Sequence, residues 1–168
     1  RLSAISGETV HLVRRDGSDI LYIHKIEAKV GTIRMVSHVG MIHPMYCSGV
    51  GKAIMATLPE KEVKKIWDAS VIERKTAKTI VTFEDMLTTL EEVRKNGYAL
   101  DDEENEEGVR CIAASLHGYG KSVKYAFSVS GPVSRMTKER VEELAVDIKK
   151  VQAELSRELG YYAPMSIN

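Results

Sequence analysis

Neither sign of charge is in excess in this sequence: 24 lysines and arginines stand against 24 aspartates and glutamates over 168 residues. A domain that grips nucleic acid by itself usually carries a basic surplus or a basic stripe, so no direct hold on DNA is expected of this segment. Cysteine is scarce. Cys47 and Cys111 stand far apart and define no disulfide framework, which fits a reduced, cytosolic setting. Apolar runs are short, and none approaches the ~20 residues of a membrane-spanning helix. The opening residues, Arg1-Leu2-Ser3-Ala4, lack the apolar stretch of a secretion signal. They also lack an initiator methionine, so the sequence is expected to be a piece of a longer chain. Internal repeats and low-complexity segments are missing too. What is present is a 43% share of hydrophobic residues, enough for the core of one domain spanning residues 1–168.

The chain opens with a hairpin pattern. Thr9 to Arg14 alternates and is rich in β-branched residues, Asp16-Gly17-Ser18-Asp19 supplies a turn, and Ile20 to Ile26 reads as the returning strand. A short third strand is expected over Thr32–Val36, after Gly31. Residues 40–48 read as a loop, because Pro44 stops any helix there. Helical periodicity then takes over. Ser48 caps a helix over Gly51–Ala56, and Pro59 opens another with Val63, Ile66 and Trp67 as its stripe. Thr82 caps a third, with Asp85 completing a capping box, and Gly97 ends it. After the acidic run 101–107, strands are expected over Gly108–Leu116 and Ser122–Ser130, joined by the loop His117-Gly118-Tyr119-Gly120. A long amphipathic helix, Thr137–Leu159, is closed by Gly160. Strands, helices, strands and a final helix point to an α/β domain: an antiparallel sheet with helices packed on its faces.

Few residues carry chemistry. Ser48-Gly49-Val50-Gly51-Lys52 is a glycine-rich turn entering a helix, where backbone N–H groups make an anion site. It is not a phosphate-binding Walker loop: Tyr46 stands at the first glycine position and Ala53 replaces the Ser/Thr. A small carboxylate fits better than a nucleotide phosphate, although this segment taken alone favours a tight turn with no ligand. The acidic run starts like a calcium loop but places Glu106 at the glycine position and Ile112 at the bidentate glutamate. Most of it reads as a solvated loop, with Asp101 set apart beside a strand entry. Cys111 reads as a small hydrophobe in an apolar strand. His43 and Cys47 lack a second ligand pair, so no metal site is expected. His11, His24, His38 and His117 read as strand or loop surface residues. Ser128 and Ser130 share one strand face, and alternation alone leaves open whether that face points inward.

Several stretches resemble one family. Gly97 to Ala114 (GYALDDEENEEGVRCIAA) is similar to the signature of IclR-type bacterial transcription regulators. Cys47 to Ala56 (CSGVGKAIMA), Phe127-Ser128-Val129-Ser130-Gly131-Pro132 and the closing helix resemble that family's other characteristic runs. The resemblance covers essentially all 168 residues in order. It departs at Ser115, where many members have proline, and at His117–Gly120, where they have a Phe-Asp pair. It implies a GAF-like sensor domain that follows an N-terminal winged helix-turn-helix, which is absent here. It further implies that the amides of Gly49 and Val50 and the hydroxyls of Ser128 and Ser130 hold the carboxylate of a small organic acid effector. Asp101 and Cys111 would line the same pocket. Operator DNA would be met only through the missing domain, and the protein would form a homodimer or homotetramer in the cytoplasm. Tyr22 to Glu27 and Arg34-Met35 resemble members that regulate sugar-acid breakdown, which implies a sugar-acid-derived 2-keto acid. No cofactor is implied.

An enzyme on this fold would need an acid/base pair or an activated nucleophile, and neither is legible. The competing reading is a constitutive oligomerisation domain whose pocket no longer functions.

Overall fold

Alternation over residues 9–16 and a Gly17 in the left-handed conformation, φ 65°, build the expected hairpin: β1 (Thr9–Asp16) and β2 (Asp19–Ile26) pair antiparallel around the Asp16–Asp19 turn. The computed structural model describes residues 1–28, 35–120 and 122–161. Among them a short helix α1 (Leu2–Ser6) precedes the hairpin, and β3 (Ile42–Pro44), α2 (Gly49–Met55), α3 (Glu60–Ala69) and α4 (Phe83–Asn96) follow it. Then come β4 (Ala99–Asp102), β5 (Val109–Leu116), β6 (Tyr125–Pro132) and the long α5 (Lys138–Glu158). The strands form one sheet in the order β3-β2-β1-β6-β5-β4, with every neighbouring pair antiparallel.

Two apolar faces follow from strand alternation. On one face Val13, Ile20, Ala99, Ala113 and Ala126 pack under α2, α3 and α4, against Ile54, Val63, Ile66, Met86 and Leu90. On the other, Ile112, Ala114, Phe127 and Val129 meet Val141, Leu144, Ile148 and Val151 of α5, with Leu2 of α1 at the margin. The α/β architecture with helices on both faces is the expected one.

Several boundaries differ from the sequence pattern. Of the strand expected over Thr32–Val36, residues 32–34 lie outside the described residues, and Met35 and Val36 are not in a strand. The loop over 40–48 contains β3, because Pro44 sits at the end of a short edge strand, where a missing N–H is tolerated. The helix expected from Gly51 starts at Gly49. Its cap is Ser48 as expected, with the Oγ accepting from the Gly51 N–H at 3.1 Å. At α4, Thr82 Oγ accepts from the Asp85 N–H at 3.2 Å, and the Asp85 carboxylate binds the capping hydroxyl itself at 2.6 Å. The largest difference is β4. Its short run, Ala99-Leu100-Asp101-Asp102, ends in charges that mask the alternation, yet it pairs with β5 from Ala99↔Ala113 to Asp102↔Arg110. The strand expected from Ser122 begins at Tyr125.

Candidate functional site

Register places the chemistry in two rows across the sheet. Asp101, Cys111 and Ser130 stand directly opposite one another on β4, β5 and β6. The neighbouring row runs Ala99, Ala113, Ser128 and His11. Both rows point to the α2 face, since Ile112 and Val129, which alternate with them, face α5. The question left open by alternation is thereby answered: Ser128 and Ser130 point inward and are 4% and 3% exposed. Asp101 lies on β4, opposite Cys111, and not at the start of the strand that carries Cys111.

The small side chains of these rows let α2 come close. A Cβ on Gly49 would lie 3.4 Å from Ala113 Cβ and 3.5 Å from the Asp101 nitrogen. Gly51 fixes the approach more tightly: a Cβ there would fall 2.2 Å from the Met45 carbonyl oxygen, a distance no backbone tolerates. The first N–H groups of a helix have no intrahelical acceptor. Ser48 Oγ takes that of Gly51, which leaves those of Gly49 and Val50, and both residues line the cavity between α2 and the sheet. That cavity is small, with about 90 Å³ of space for the centres of water-sized molecules, enough for several waters or one compact ligand. All six residues singled out from sequence, Gly49, Val50, Asp101, Cys111, Ser128 and Ser130, lie on its wall.

His11 joins the wall as well, and the expectation of a surface histidine is corrected. It is 4% exposed, on a central strand of the sheet. Its Nδ1 lies 3.3 Å from both Ser128 Oγ and Ser130 Oγ, which are 3.4 Å from each other. Its Nε2 lies 2.8 Å from Ser37 Oγ. Burial, helped by the charge of Lys25, lowers its pKa to about 4, so the ring is neutral at pH 7. Lys25 also holds residues 35–37 of the cavity wall, donating from Nζ to the carbonyls of Met35 at 2.9 Å and Ser37 at 2.6 Å.

Asp101 is the negative pole. Its Oδ1 accepts from the N–H of Glu104 at 2.9 Å and of Asn105 at 3.4 Å, an arrangement that folds the acidic run back over the cavity. Burial raises its pKa from 3.8 to about 6, against the pull of Lys52. Lys52 is itself buried and bonds Glu104, so this part of the run is interior, not the solvated loop its composition suggests. Asp102 and Glu103 are neutralised at the rim by Arg110 and Lys78.

The remaining reactive groups are quiet. Burial pushes the Cys47 thiol up to about 12 and the Cys111 thiol higher still, with Asp101 adding to the latter, so neither is a thiolate nucleophile. Cys47 Sγ lies 3.5 Å from His43 Nε2. Among the described residues, no group of three or more His, Cys, Asp or Glu side chains is placed to hold a metal ion, and no helix is long and apolar enough to cross a membrane. The wall therefore offers neutral donors from α2 and β6 and, on β4 beside Gly49, an acceptor carboxylate. Such a wall can form hydrogen bonds to a small polar molecule.

Sequence reasoning missed His11, Tyr22, Ser37 and His43, all of which line the cavity. For His11 a signal existed: it shares a β1 face with Val13, which alternates with the polar positions Arg14 and Asp16.

Comparison with known proteins gives a consistent result. The model of the bacterial transcriptional regulator IclR C-terminal family matches residues 1–157. The chain is 36% identical over 161 residues to the HTH-type transcriptional regulator KdgR of Escherichia coli K12, covering 96% of this chain and 61% of that protein. It is 34% identical over 163 residues to the HTH-type transcriptional repressor AllR of the same strain, covering 97% and 60%. Thus the chain spans about three-fifths of the length of these relatives. Among solved structures, IclR of Thermotoga maritima matches with a TM-score of 0.90 and 38% identity, over 95% of this chain and 64% of that one. The C-terminal domain of E. coli KdgR matches with a TM-score of 0.85 and 34% identity, over 95% and 92%.

Proposed function

The chain belongs to the IclR family of bacterial transcriptional regulators, as its C-terminal domain, and from that premise we propose that it senses a small organic acid and thereby controls DNA binding by a winged helix-turn-helix outside this sequence. Its relatives are named as transcriptional regulators and repressors, not enzymes. The observation that carries the reading is the convergence of the Gly49 and Val50 amides with the Ser128 and Ser130 hydroxyls on one cavity that also holds Asp101.

In this reading the four donors take the effector carboxylate, Cys111 shapes the floor, and Asp101 accepts from hydroxyls of the ligand. Each hydrogen bond to a charged group contributes about 1.5–3 kcal/mol. After ordering costs, several such bonds give dissociation constants of roughly micromolar to millimolar, the range a metabolite sensor uses. A sugar-acid-derived 2-keto acid satisfies both, with a carboxylate for the donors and hydroxyls for Asp101. The protein acts in the cytoplasm as a homodimer or homotetramer.

A thermal-shift screen of 2-keto, hydroxy and sugar acids tests this. A ligand at a hundred times its dissociation constant stabilises by about 2.7 kcal/mol, or roughly 5–11 °C at this size. No shift with any member would support the oligomerisation reading in its place.

A further inference from the structure

The sensing reading assigns the two serines but leaves a difficulty of proton count. A serine hydroxyl has one proton to give. With Ser128 Oγ, Ser130 Oγ and His11 Nδ1 forming a triangle of 3.3–3.4 Å sides, both protons can be spent inside the triangle, one serine donating to the other and that one to the ring. A carboxylate arriving there would meet lone pairs. To bind it, both serine protons must turn outward, and the serine oxygens must then accept from a donor behind them. The imidazole nitrogen that touches both oxygens is placed to be that donor. A neutral ring carries a single N–H, so a proton on Nδ1 leaves Nε2 as an acceptor. Its partner, Ser37 Oγ at 2.8 Å, is then the donor of that bond.

We propose that His11 is the positioning residue that sets the polarity of the effector clamp: in the bound state Nδ1–H is shared between the Ser128 and Ser130 oxygens, and Nε2 accepts from the Ser37 hydroxyl. This rests on the sensing reading. The ring is held for the task. Tyr22 meets it edge-on, with centroids 5.2 Å apart and planes at 76°, and its burial keeps it neutral. The opposite tautomer, Nε2–H, would make Nδ1 an acceptor and turn a serine proton inward. That arrangement would suit a ligand that donates, so the tautomer reports which kind of ligand is bound. Because Ser37 is pinned by Lys25, the same ring ties the state of the cavity floor to that part of its wall.

The test combines ring nitrogen-15 spectra with variants, using pyruvate as the probe. In the wild-type chain saturated with pyruvate, His11 shows the Nδ1–H tautomer. His11→Phe, which fills the space but offers no N–H, weakens pyruvate binding about tenfold or more, the scale of one hydrogen bond to a charged group. His11→Asn places an amide donor near the Nδ1 position and recovers most of that loss. Circular dichroism checks that the variants fold. An Nε2–H tautomer in the bound state, wild-type affinity in His11→Phe, or no recovery in His11→Asn overturns the role of His11 and leaves the sensing reading standing. Absence of any pyruvate response in the wild-type chain, with the other 2-keto and sugar acids equally silent, overturns both. Should His11→Phe fail to fold, the wild-type tautomer decides the matter alone.

Discussion

Replacing Asp101 with asparagine keeps the shape and the Oδ1 acceptor that binds the Glu104 and Asn105 amides, removes the charge and turns the other oxygen into an NH2 donor. The side chain is 6% exposed, and its folded pKa is about 6 against 3.8. Between those values the folded chain holds a proton that the unfolded chain has lost. Stability therefore falls as pH rises through about 4 to 6. At 1.36 kcal/mol per unit, ionised Asp101 costs the fold about 3 kcal/mol at pH 7 and nothing below pH 3.8. Other groups obscure this in the wild-type protein alone. His11 and His43 are both held down to about 4 by burial, and below pH 6.5 they destabilise as the pH falls. The difference between wild type and Asp101→Asn cancels them. Thermal melts from pH 4 to 7 should show the variant gaining on the wild type by roughly 6–12 °C across that range, from 2–4 °C per kcal/mol at this chain length. Parallel curves for the two proteins would refute the claim that Asp101 carries a buried charge that Lys52 and the two amides only partly compensate.

Further outcomes follow from the same contacts. Gly51→Ala forces a Cβ to 2.2 Å from the Met45 oxygen, so at least ~3 kcal/mol of stability is lost; a calorimetric melting point equal to wild type would contradict this. Cys111→Ser keeps the fold and changes effector affinity modestly, and a chelator leaves binding intact, because the thiol is protonated and packs on the floor; loss of binding on chelation would show a metal role. Asp101→Ala weakens a hydroxylated sugar acid by about 1–3 kcal/mol, since a ligand donor loses its acceptor. For pyruvate or glyoxylate it leaves affinity unchanged or tighter by removing a like charge, and equal small changes for both ligand types in a titration would remove Asp101 from the site.

Much of this was legible in the sequence because it lies in local grammar. Ser48 before a glycine-rich helix start, Thr82 and Gly97 bracketing a helix, and the alternating hairpin after residue 9 each express a rule that spans a few residues. β4 escaped because Asp101 and Asp102 interrupt its alternation, and only pairing with β5 makes it a strand. The burial of Glu104 escaped for a related reason. A run of acids reads as solvated until a distant cation, here Lys52, is found beneath it. The serine face was undecidable from alternation, because helices cover both faces of the sheet, and was settled by the packing of Val129 against α5, which turns the serines to the cavity beside α2. His11 belongs there in part: alternation with Val13 signals its burial, but its partners lie 26, 117 and 119 residues away, so no local pattern names them.

The central claim is that Ser128 and Ser130, together with the Gly49 and Val50 amides, hold a carboxylate. Calorimetric titration of the acid that gives the largest thermal shift, into wild type, Ser128→Ala and Ser130→Ala, tests it most directly. Each substitution leaves part of a desolvated carboxylate unpaired and should weaken binding by about 1–3 kcal/mol, roughly 5- to 150-fold, with the unliganded melting point largely preserved. Unchanged affinity in both variants would place the carboxylate elsewhere and contradict the account.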